Sequence, residues 1–480
     1  MLIVTTLIIY LIVLTLYSRL MTGRGGNDAF FRGNNRSPWY MVAFGMVGAS
    51  ISGVTFVSVP GMVNNIGMTY MQTCLGFIFG YIIVAFVLLP IYYNLRLTTI
   101  YSYLNRRLGD GAYKTGASFF LLSKMTGAAV RFYVVCIILQ HYVFDDVGIP
   151  FTATVIMLVF LIWLYTRRGG IKTLVWTDTL QTFCMFLALI LIIYKVMGEL
   201  NMGFLDAVEA IAGDERSRWF VFDDAVSKQY FWKQFLSGIF IVIVMTGLDQ
   251  DMMQKNLTCK SLRDAQKDMC TYGVAFVPAN LLFLSLGVLL SMLCTKQGFP
   301  LPAGDELLPM FAASGRLGES VVVFFTIGIL AASFSSADSA LTAMTTSCCI
   351  DLRGNASDER LRKRVHIMLT VVFAMIILVV KAVGSTSVID AIYVICSYTY
   401  GPLLGLFLYA YFCGKNTTDG SPRKRNLMSI SGLCIASPLL CYGMDFLSSK
   451  LWDYHFGYEL LMINGAVTFL GLCLMRPEKR

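Results

Sequence analysis

A stretch of small and hydroxyl-bearing residues carries a carboxylate inside the long apolar segment 318–350. Ser335, Asp338 and Ser339 lie three and four positions apart, so on a helix they share one face. A carboxylate at membrane depth costs roughly 2.5–3.5 kcal/mol on insertion scales and normally faces a cavity, a partner or an ion. The pattern therefore indicates an ion site, or a polar stripe that only joins helices through hydrogen bonds.

Other charged residues also lie inside apolar segments. Asp178 is about two turns into its segment, at a depth where it can meet Asp338, and the oxygen ligands of both suit Na+ or H+ rather than a transition metal. Arg131 is near the centre of its segment and predicts a counter-charge for an anionic solute, or a buried ion pair with Asp178 or Asp338. Lys124 is nearer the segment end, so we expect it to snorkel to the interface.

Composition assigns the chain to the membrane. Of its 480 residues, 56% are hydrophobic and 14% charged, whereas soluble domains average roughly 45–50% apolar and about 25% charged residues. The sequence predicts an all-α polytopic membrane protein that forms a single transmembrane domain over 1–480. Its 13 cysteines are scattered and its 3 histidines isolated, so we expect neither a disulfide framework nor a transition-metal site.

About 20 apolar residues are needed to cross a bilayer as a helix. That length predicts thirteen transmembrane helices, at about 2–20, 39–61, 70–93, 115–143, 150–166, 172–198, 230–248, 269–294, 318–350, 365–384, 387–412, 427–447 and 456–475. The first segment lacks a basic start and a small-residue cleavage site, so we interpret it as a retained span and not as a signal peptide.

Lys and Arg concentrate in alternate loops, for example at Arg106, Arg107 and Lys255. Because basic loops stay in the cytoplasm, this pattern predicts a multi-pass protein of the cell (inner) membrane with its N-terminus outside and its C-terminus cytoplasmic. The alternation holds across all thirteen segments and supports their number.

Two segments are expected to break within the membrane. The run GMVGASISGVTFVSVPGMV (45–63) fills most of segment 39–61, and MTGLDQD (245–251) crosses the end of segment 230–248. A broken helix exposes backbone carbonyls, which is tolerated where they line a cavity or hold an ion. The alternative for 39–61 is an ordinary glycine-rich packing helix. Regions 39–198 and 230–412 each hold five segments, and an odd number per set is the condition for an inverted repeat.

Four blocks in this order, GASISGVTF, GGIKTLVWTDTLQ, GLDQDMMQK and AASFSSADSALTA, resemble the sodium:solute symporter family. Its members carry sugars, proline, pantothenate, monocarboxylates, iodide or sialic acid. The resemblance runs from about Gly23 through 387–412. It implies a LeuT-type fold with a 5+5 inverted repeat, one extra N-terminal helix and two extra C-terminal helices, working by alternating access.

The resemblance also implies two sodium sites. The main site would use three backbone carbonyls and two hydroxyls, those of Gly48, Ile51, Ala332, Ser335 and Ser336. The second would use two carboxylates and two hydroxyls, those of Asp178, Ser335, Asp338 and Ser339. Some members have a hydroxyl at the position of Asp338. Two coupled Na+ ions would make the uptake of a monoanion electrogenic.

The substrate residues are less typical of the family. Sugar-transporting members place Gln at the position of Thr55 and a Tyr-Trp pair at Met245 and Thr246, so their absence argues against a hexose. Ser52 and Thr55 resemble the hydroxyl pair that sialic acid transporters use for a carboxylate, and Arg131 would complete such a site. The substrate candidates are therefore Ser52, Thr55, Gln72, Arg131 and Thr246. For Gln72 an interhelical hydrogen bond is the alternative.

These features predict a Na+-coupled symporter that imports a small organic anion such as sialic acid or a monocarboxylate. The alternative is a neutral solute, either a sugar, a polyol or an amino acid. An intramembrane aspartyl protease built on Asp178 and Asp338 would pair two carboxylates, but no GxGD-like motif surrounds either residue. The expected partners are Na+, the solute and the bilayer, without an organic cofactor or a nucleic acid.

Overall fold

The structure is a computed structural model that describes residues 2–22, 26–145, 148–302, 304–383, 388–414 and 427–475. The predicted cytoplasmic C-terminus, residues 476–480, lies outside the described residues. The helices, labelled α1 to α19 in chain order, are Leu2–Thr22, Asn27–Arg32, Trp39–Ser50, Gly53–Ile66, Tyr70–Ile83, Leu89–Asn94, Ser102–Leu108, Asp110–Leu139, Phe151–Leu200, Phe204–Gly213, Phe231–Val242, Gln250–Asn256, Leu262–Gln297, Leu307–Ala312, Glu319–Ser347, Glu359–Val383, Val388–Phe412, Leu427–Trp452 and Leu460–Leu474.

Hydropathy and length identify the helices that can cross a membrane. In the described part of the chain, 9 runs of helix qualify, or 10 if the bent pair Phe231–Gly247 and Gln250–Asn256 forms one span. Shorter apolar helices, Trp39–Ser50, Phe151–Arg167 and Leu460–Leu474, cover further predicted segments. Every predicted segment overlaps an observed helix, and the chain is an all-helical, multi-pass membrane protein.

A single glycine separates two predicted segments within α9. Gly170 has φ +51° and ψ −142°, so the helix changes direction there. A Cβ at this position would lie 2.6 Å from the Cα of Phe30. Only glycine meets both demands, because other residues are disfavoured at such a φ and their side chains would collide with α2.

Both expected helix breaks are confirmed. The first separates α3 from α4: Ile51 has φ −79° and ψ 86°, and Ser52 is extended. The second follows the π-turn Ile243–Gly247, where the chain bends by 69° before α12 begins. The two breaks expose backbone groups at positions where neighbouring helices can enclose a ligand.

Helix α15, which carries the polar stripe, is the most enclosed span. In its most apolar window 78% of the residues are buried, the largest share among the candidate spans of the described chain. It packs against α1, α3, α4, α8 and α9. The small side chains of Ala331, Ala332 and Ala340 allow these helices to approach closely, so the hydroxyls and the carboxylate of α15 face protein and not lipid.

The prediction that residues after 248 form a cytoplasmic loop is wrong for α12. All seven residues of this helix are buried, including Lys255. The bend turns α12 back among the other helices, where carboxylates neutralise its lysine. A hydropathy profile cannot distinguish such a paired charge from a loop charge, because both lower the local average.

Candidate functional site

The break between α3 and α4 places backbone oxygens next to α15. In a continuous helix the Ser52 amide would donate to the Gly48 carbonyl, but here it donates to the Ser50 carbonyl at 3.1 Å. The Ser336 hydroxyl of α15 donates to the Ala49 carbonyl at 2.9 Å. The end of α3 and the middle of α15 therefore meet through oxygen atoms.

The main sodium candidates divide between these two elements. Gly48 and Ile51 lie at the end of α3, and Ala332 lies one turn before Ser336, whose hydroxyl also donates to the Ala332 carbonyl at 3.2 Å. Carbonyl and hydroxyl oxygens are the hard ligands that a small monovalent cation requires. The residues present thus fit a sodium site.

A glycine at position 48 makes this approach feasible. A Cβ on Gly48 would lie 1.8 Å from Thr182 Oγ1 of α9, so any larger residue would push α3 away from α9. The Thr182 hydroxyl is itself held by the Asp178 carbonyl at 2.6 Å. Glycine at this position therefore serves close helix packing as well as the break.

Asp178 is paired with Lys255. The ammonium nitrogen lies 2.8 Å from Asp178 Oδ2, and the two side chains are only 2% and 0% exposed. Ser335 donates to the other carboxylate oxygen, Oδ1, at 2.7 Å. The ion pair between Asp178 and Arg131 considered from the sequence is therefore wrong, because Lys255 takes that place.

Asp338 is held by hydroxyl groups. Tyr165 donates to its Oδ2 at 2.7 Å, and Ser339 donates to its Oδ1 at 3.3 Å. Ser335, which donates to Asp178 at 2.7 Å, lies three positions before Asp338 on α15, which is consistent with the similar depth expected from the sequence. Tyr165 was missed by the sequence reasoning, because a tyrosine near the end of an apolar segment is most often an interfacial residue.

A cavity of about 1030 Å³, including solvent at its mouth, opens beside the break in segment 39–61. Four of the five substrate candidates line it, namely Ser52, Thr55, Arg131 and Thr246. Ser336 lines the same cavity, so the proposed sodium ligands and the substrate candidates adjoin each other.

Gln72 does not line this cavity. Its amide nitrogen donates to the Gln229 carbonyl at 2.9 Å, and its amide oxygen accepts from the Val221 amide at 3.0 Å. Both ends of the side chain therefore hold the segment between α10 and α11. In this structure Gln72 therefore joins α5 to that segment, which is neither a contact with the cavity nor a hydrogen bond between two helices.

Arg131 lies half-buried on the cavity wall. Within the described residues its guanidinium takes part in no ion pair. The two carboxylates that the sequence offered as partners have others, since Asp178 binds Lys255 and Asp338 accepts from Tyr165. A permanently charged group at membrane depth is costly without a partner. The arrangement leaves a planar, fork-shaped donor available to a carboxylate that enters the cavity.

Lys124 contributes to a second charged cluster on the cavity wall. Its Nζ lies 2.7 Å from Asp251 Oδ2 and 3.2 Å from Asp249 Oδ2. Tyr400 also donates to Asp249, at 2.5 Å. The expectation that Lys124 snorkels is wrong, because the start of α12 supplies two buried carboxylates. The DQD run beside the expected break was the available signal for these carboxylates.

Comparison with known proteins identifies the chain's relatives. Residues 30–422 match the Sodium:solute symporter family. The human sodium/iodide cotransporter is 24% identical over 83% of this chain and 63% of its own length. The sodium/sialic acid symporter SiaT of Proteus mirabilis is 23% identical over 87% of this chain and 85% of its own length.

A solved structure shows the same fold. A sodium-coupled sialic acid symporter, determined in a substrate-bound outward-open state, superposes with a TM-score of 0.81 at 19% identity, covering 100% of this chain and 99% of its own. The chain spans less than two thirds of the length of several relatives, for example 63% of the sodium/iodide cotransporter. The match to the family, over residues 30–422, nevertheless covers most of this chain. This protein therefore belongs to the sodium:solute symporter family, a family of transporters and not of enzymes.

Proposed function

We propose that this protein is a sodium-coupled symporter that takes up a small organic anion. The observation that carries the proposal is the Arg131 guanidinium, which faces the cavity without an ion-pair partner among the described residues. The hydroxyls of Ser52 and Thr55 line the same cavity. One carboxylate can accept from the guanidinium fork and from hydroxyls together, so an anion completes the site.

The relatives support an anion over a neutral solute. Their names state iodide, sialic acid and monocarboxylates as transported solutes. A sugar, polyol or amino acid without net charge would leave the Arg131 charge uncompensated in the cavity. We therefore favour a carboxylate such as sialic acid or a monocarboxylate as the substrate class.

Sodium is the coupling ion in this proposal, with Gly48, Ile51, Ala332, Ser335 and Ser336 as its ligands. An ion held there joins the end of α3 to α15 and adjoins the cavity that Ser336 also lines. Its charge lowers the electrostatic cost of bringing in an anion. Because each ligand favours the conformation that binds the other, the two affinities are coupled reciprocally.

The proposed membrane arrangement follows from the same architecture. We infer thirteen spans, with an inverted repeat formed by 39–198 and 230–412 between one N-terminal and two C-terminal helices. The first span of each set is broken, at Ile51 and after Gly247, as symmetry between the sets requires. The distribution of basic loops supports an inner-membrane protein with its N-terminus outside and its C-terminus on the cytoplasmic side.

Uptake into proteoliposomes tests this function. A radiolabelled panel of organic acids, neutral sugars and polyols is supplied with an inward gradient of Na+, or of choline or Li+ in its place. We expect accumulation of an organic acid only with Na+. Accumulation of a neutral solute alone, or equal uptake with choline, would contradict the proposal.

Ser336→Ala is expected to raise the Na+ concentration needed for half-maximal uptake by about two- to tenfold. The substitution removes one hydroxyl ligand, and a polar contact of this kind contributes about 0.5–1.5 kcal/mol. The measurement is the Na+ dependence of uptake at constant ionic strength.

Ser333→Ala is the matched control for this experiment. Ser333 is buried one turn earlier on α15 and donates within its own helix to the Ile329 carbonyl at 2.6 Å. We expect its Na+ dependence to equal that of the parent. If the Ser336 variant also keeps the parental Na+ dependence, the main sodium site is not where we place it.

A further inference from the structure

The ammonium group of Lys255 lies against a buried carboxylate. It is 2.8 Å from Asp178 Oδ2, and Asp251 lies one turn before it on α12. Lys255 is 1% exposed and is among the largest fully buried side chains. Lysine is almost never buried this deeply unless it is paired, so Asp178 binds a cation that belongs to the protein itself.

The family resemblance predicts a second sodium ion at Asp178, Ser335, Asp338 and Ser339. Both oxygens of Asp178 already have partners, the Ser335 hydroxyl on Oδ1 and the Lys255 ammonium on Oδ2. Both oxygens of Asp338 accept hydrogen bonds, from Tyr165 and Ser339. A sodium ion would have to displace the ammonium before it could reach Asp178.

Such a displacement is unfavourable on physical grounds. An ammonium group carries the same single charge as Na+ in a similarly compact form, and its attachment to α12 gives it a high effective concentration at the site. Moving the ammonium away from Asp178 would leave a buried lysine without its counter-charge, and breaking a buried ion pair is strongly destabilising.

We propose that Lys255 is a tethered cation that replaces the second sodium ion, so that one Na+ accompanies each solute molecule. The proposal deepens the sodium-coupled function proposed above and rests on it. A tethered charge is not released into the cytoplasm. One Na+ moving with one monoanion then transfers no net charge, and the membrane potential does not drive the uptake.

Helix α12 connects this site to the substrate cavity. Asp251 lies on the cavity wall and binds Lys124 at 2.7 Å, and it lies one turn before Lys255 on α12. Alternating charges thus run from the cavity to Asp178. Because α12 follows a 69° bend, its movement relative to α9 would withdraw the ammonium from Asp178 in place of releasing an ion.

The experiment counts sodium ions. Initial rates of radioactive sodium and radiolabelled solute uptake are compared in proteoliposomes, and sodium binding to the purified protein is measured at equilibrium. For the parent we expect one Na+ per solute and one Na+ bound. Lys255→Gln frees the carboxylates, so we expect two Na+ in both measurements and a Hill coefficient for Na+ that rises from about one towards two.

Three further variants separate charge from side-chain shape. Lys255→Arg keeps the cation and is expected to keep one Na+. The double variant with Lys255→Gln and Asp178→Asn removes both charges and should return to one Na+. Lys260→Gln, on an exposed lysine five positions away, should behave as the parent.

A parent protein that moves two Na+ per solute, with an inward current during uptake of a monoanion, would overturn the tethered-cation proposal. A Lys255→Gln variant that folds and still moves one Na+ would overturn it too. If that variant does not fold, the number of Na+ ions that the parent moves per solute decides between the two outcomes. Absence of any Na+-dependent uptake by the parent is a separate result, which contradicts the proposed function itself.

Discussion

Replacing Arg131 with Gln is expected to lower the apparent affinity for the organic anion by about 30- to 3000-fold. Truncating one partner of a buried, hydrogen-bonded charge pair costs about 2–5 kcal/mol, and each 1.4 kcal/mol corresponds to about tenfold in affinity. The loss should be large because Arg131 is half-buried at the cavity and is not already engaged by a carboxylate among the described residues. The half-saturating solute concentration at saturating Na+ measures the effect.

Two controls separate charge from geometry at this position. Arg131→Lys keeps the charge but loses the planar fork, so we expect an intermediate loss of about tenfold. Arg263→Gln changes an exposed arginine at the start of α13 and should leave uptake unchanged. An unaltered affinity in Arg131→Gln, with normal protein levels, would make Arg131 a structural residue.

Several features of this protein follow from the sequence because local chemistry determines them. The break at Ile51 follows from glycines on both sides, and the opening after Gly247 follows from polar residues next to a glycine. The similar depth of Asp178 and Asp338 follows from the direction in which each segment crosses the membrane. In each case the residues concerned belong to one segment, or to two segments whose orientation the basic loops determine.

The ion pairs could not be predicted in this way, because they depend on how far the chain turns after a break. The 69° bend before α12 brings Asp251 to Lys124 and Lys255 to Asp178. Without the bend, the same residues would form a charged loop at the cytoplasmic surface. Neither helix periodicity nor the positive-inside rule predicts ion pairs between distant segments, so both favour a loop position for Lys255.

The bend before α12 also explains why Arg131 has no carboxylate partner among the described residues. An intramembrane arginine is expected to use the nearest intramembrane carboxylate, and the sequence offered Asp178 and Asp338. The lysines of α8 and α12 neutralise the buried carboxylates instead, at Asp249, Asp251 and Asp178. The fold thus assigns lysines to fixed ion pairs and leaves the arginine without one among the described residues, and its fork geometry suits the carboxylate that we propose as its ligand.

Lys124→Met is expected to destabilise the protein by about 3–5 kcal/mol, because it leaves Asp249 and Asp251 buried without their cation. The two carboxylates are only 2% and 4% exposed, so water compensates for little of the lost ammonium. Thermal unfolding of the purified protein in detergent, followed by tryptophan fluorescence, should show a clearly lower midpoint. Asp251→Asn in the same chain removes one of the two uncompensated charges and should restore part of the loss.

Lys114→Met provides a control on the same helix. Lys114 and Asp110 also lie 2.8 Å apart, but their side chains are 48% and 62% exposed, and exposed ion pairs contribute about 0–1 kcal/mol. We therefore expect almost no change in its unfolding midpoint. Equal shifts in the two variants would mean that burial does not govern the Lys124 cluster. A shift confined to Lys124→Met, and reduced by Asp251→Asn, would show that α8 and α12 are held together by these buried charges beside the cavity.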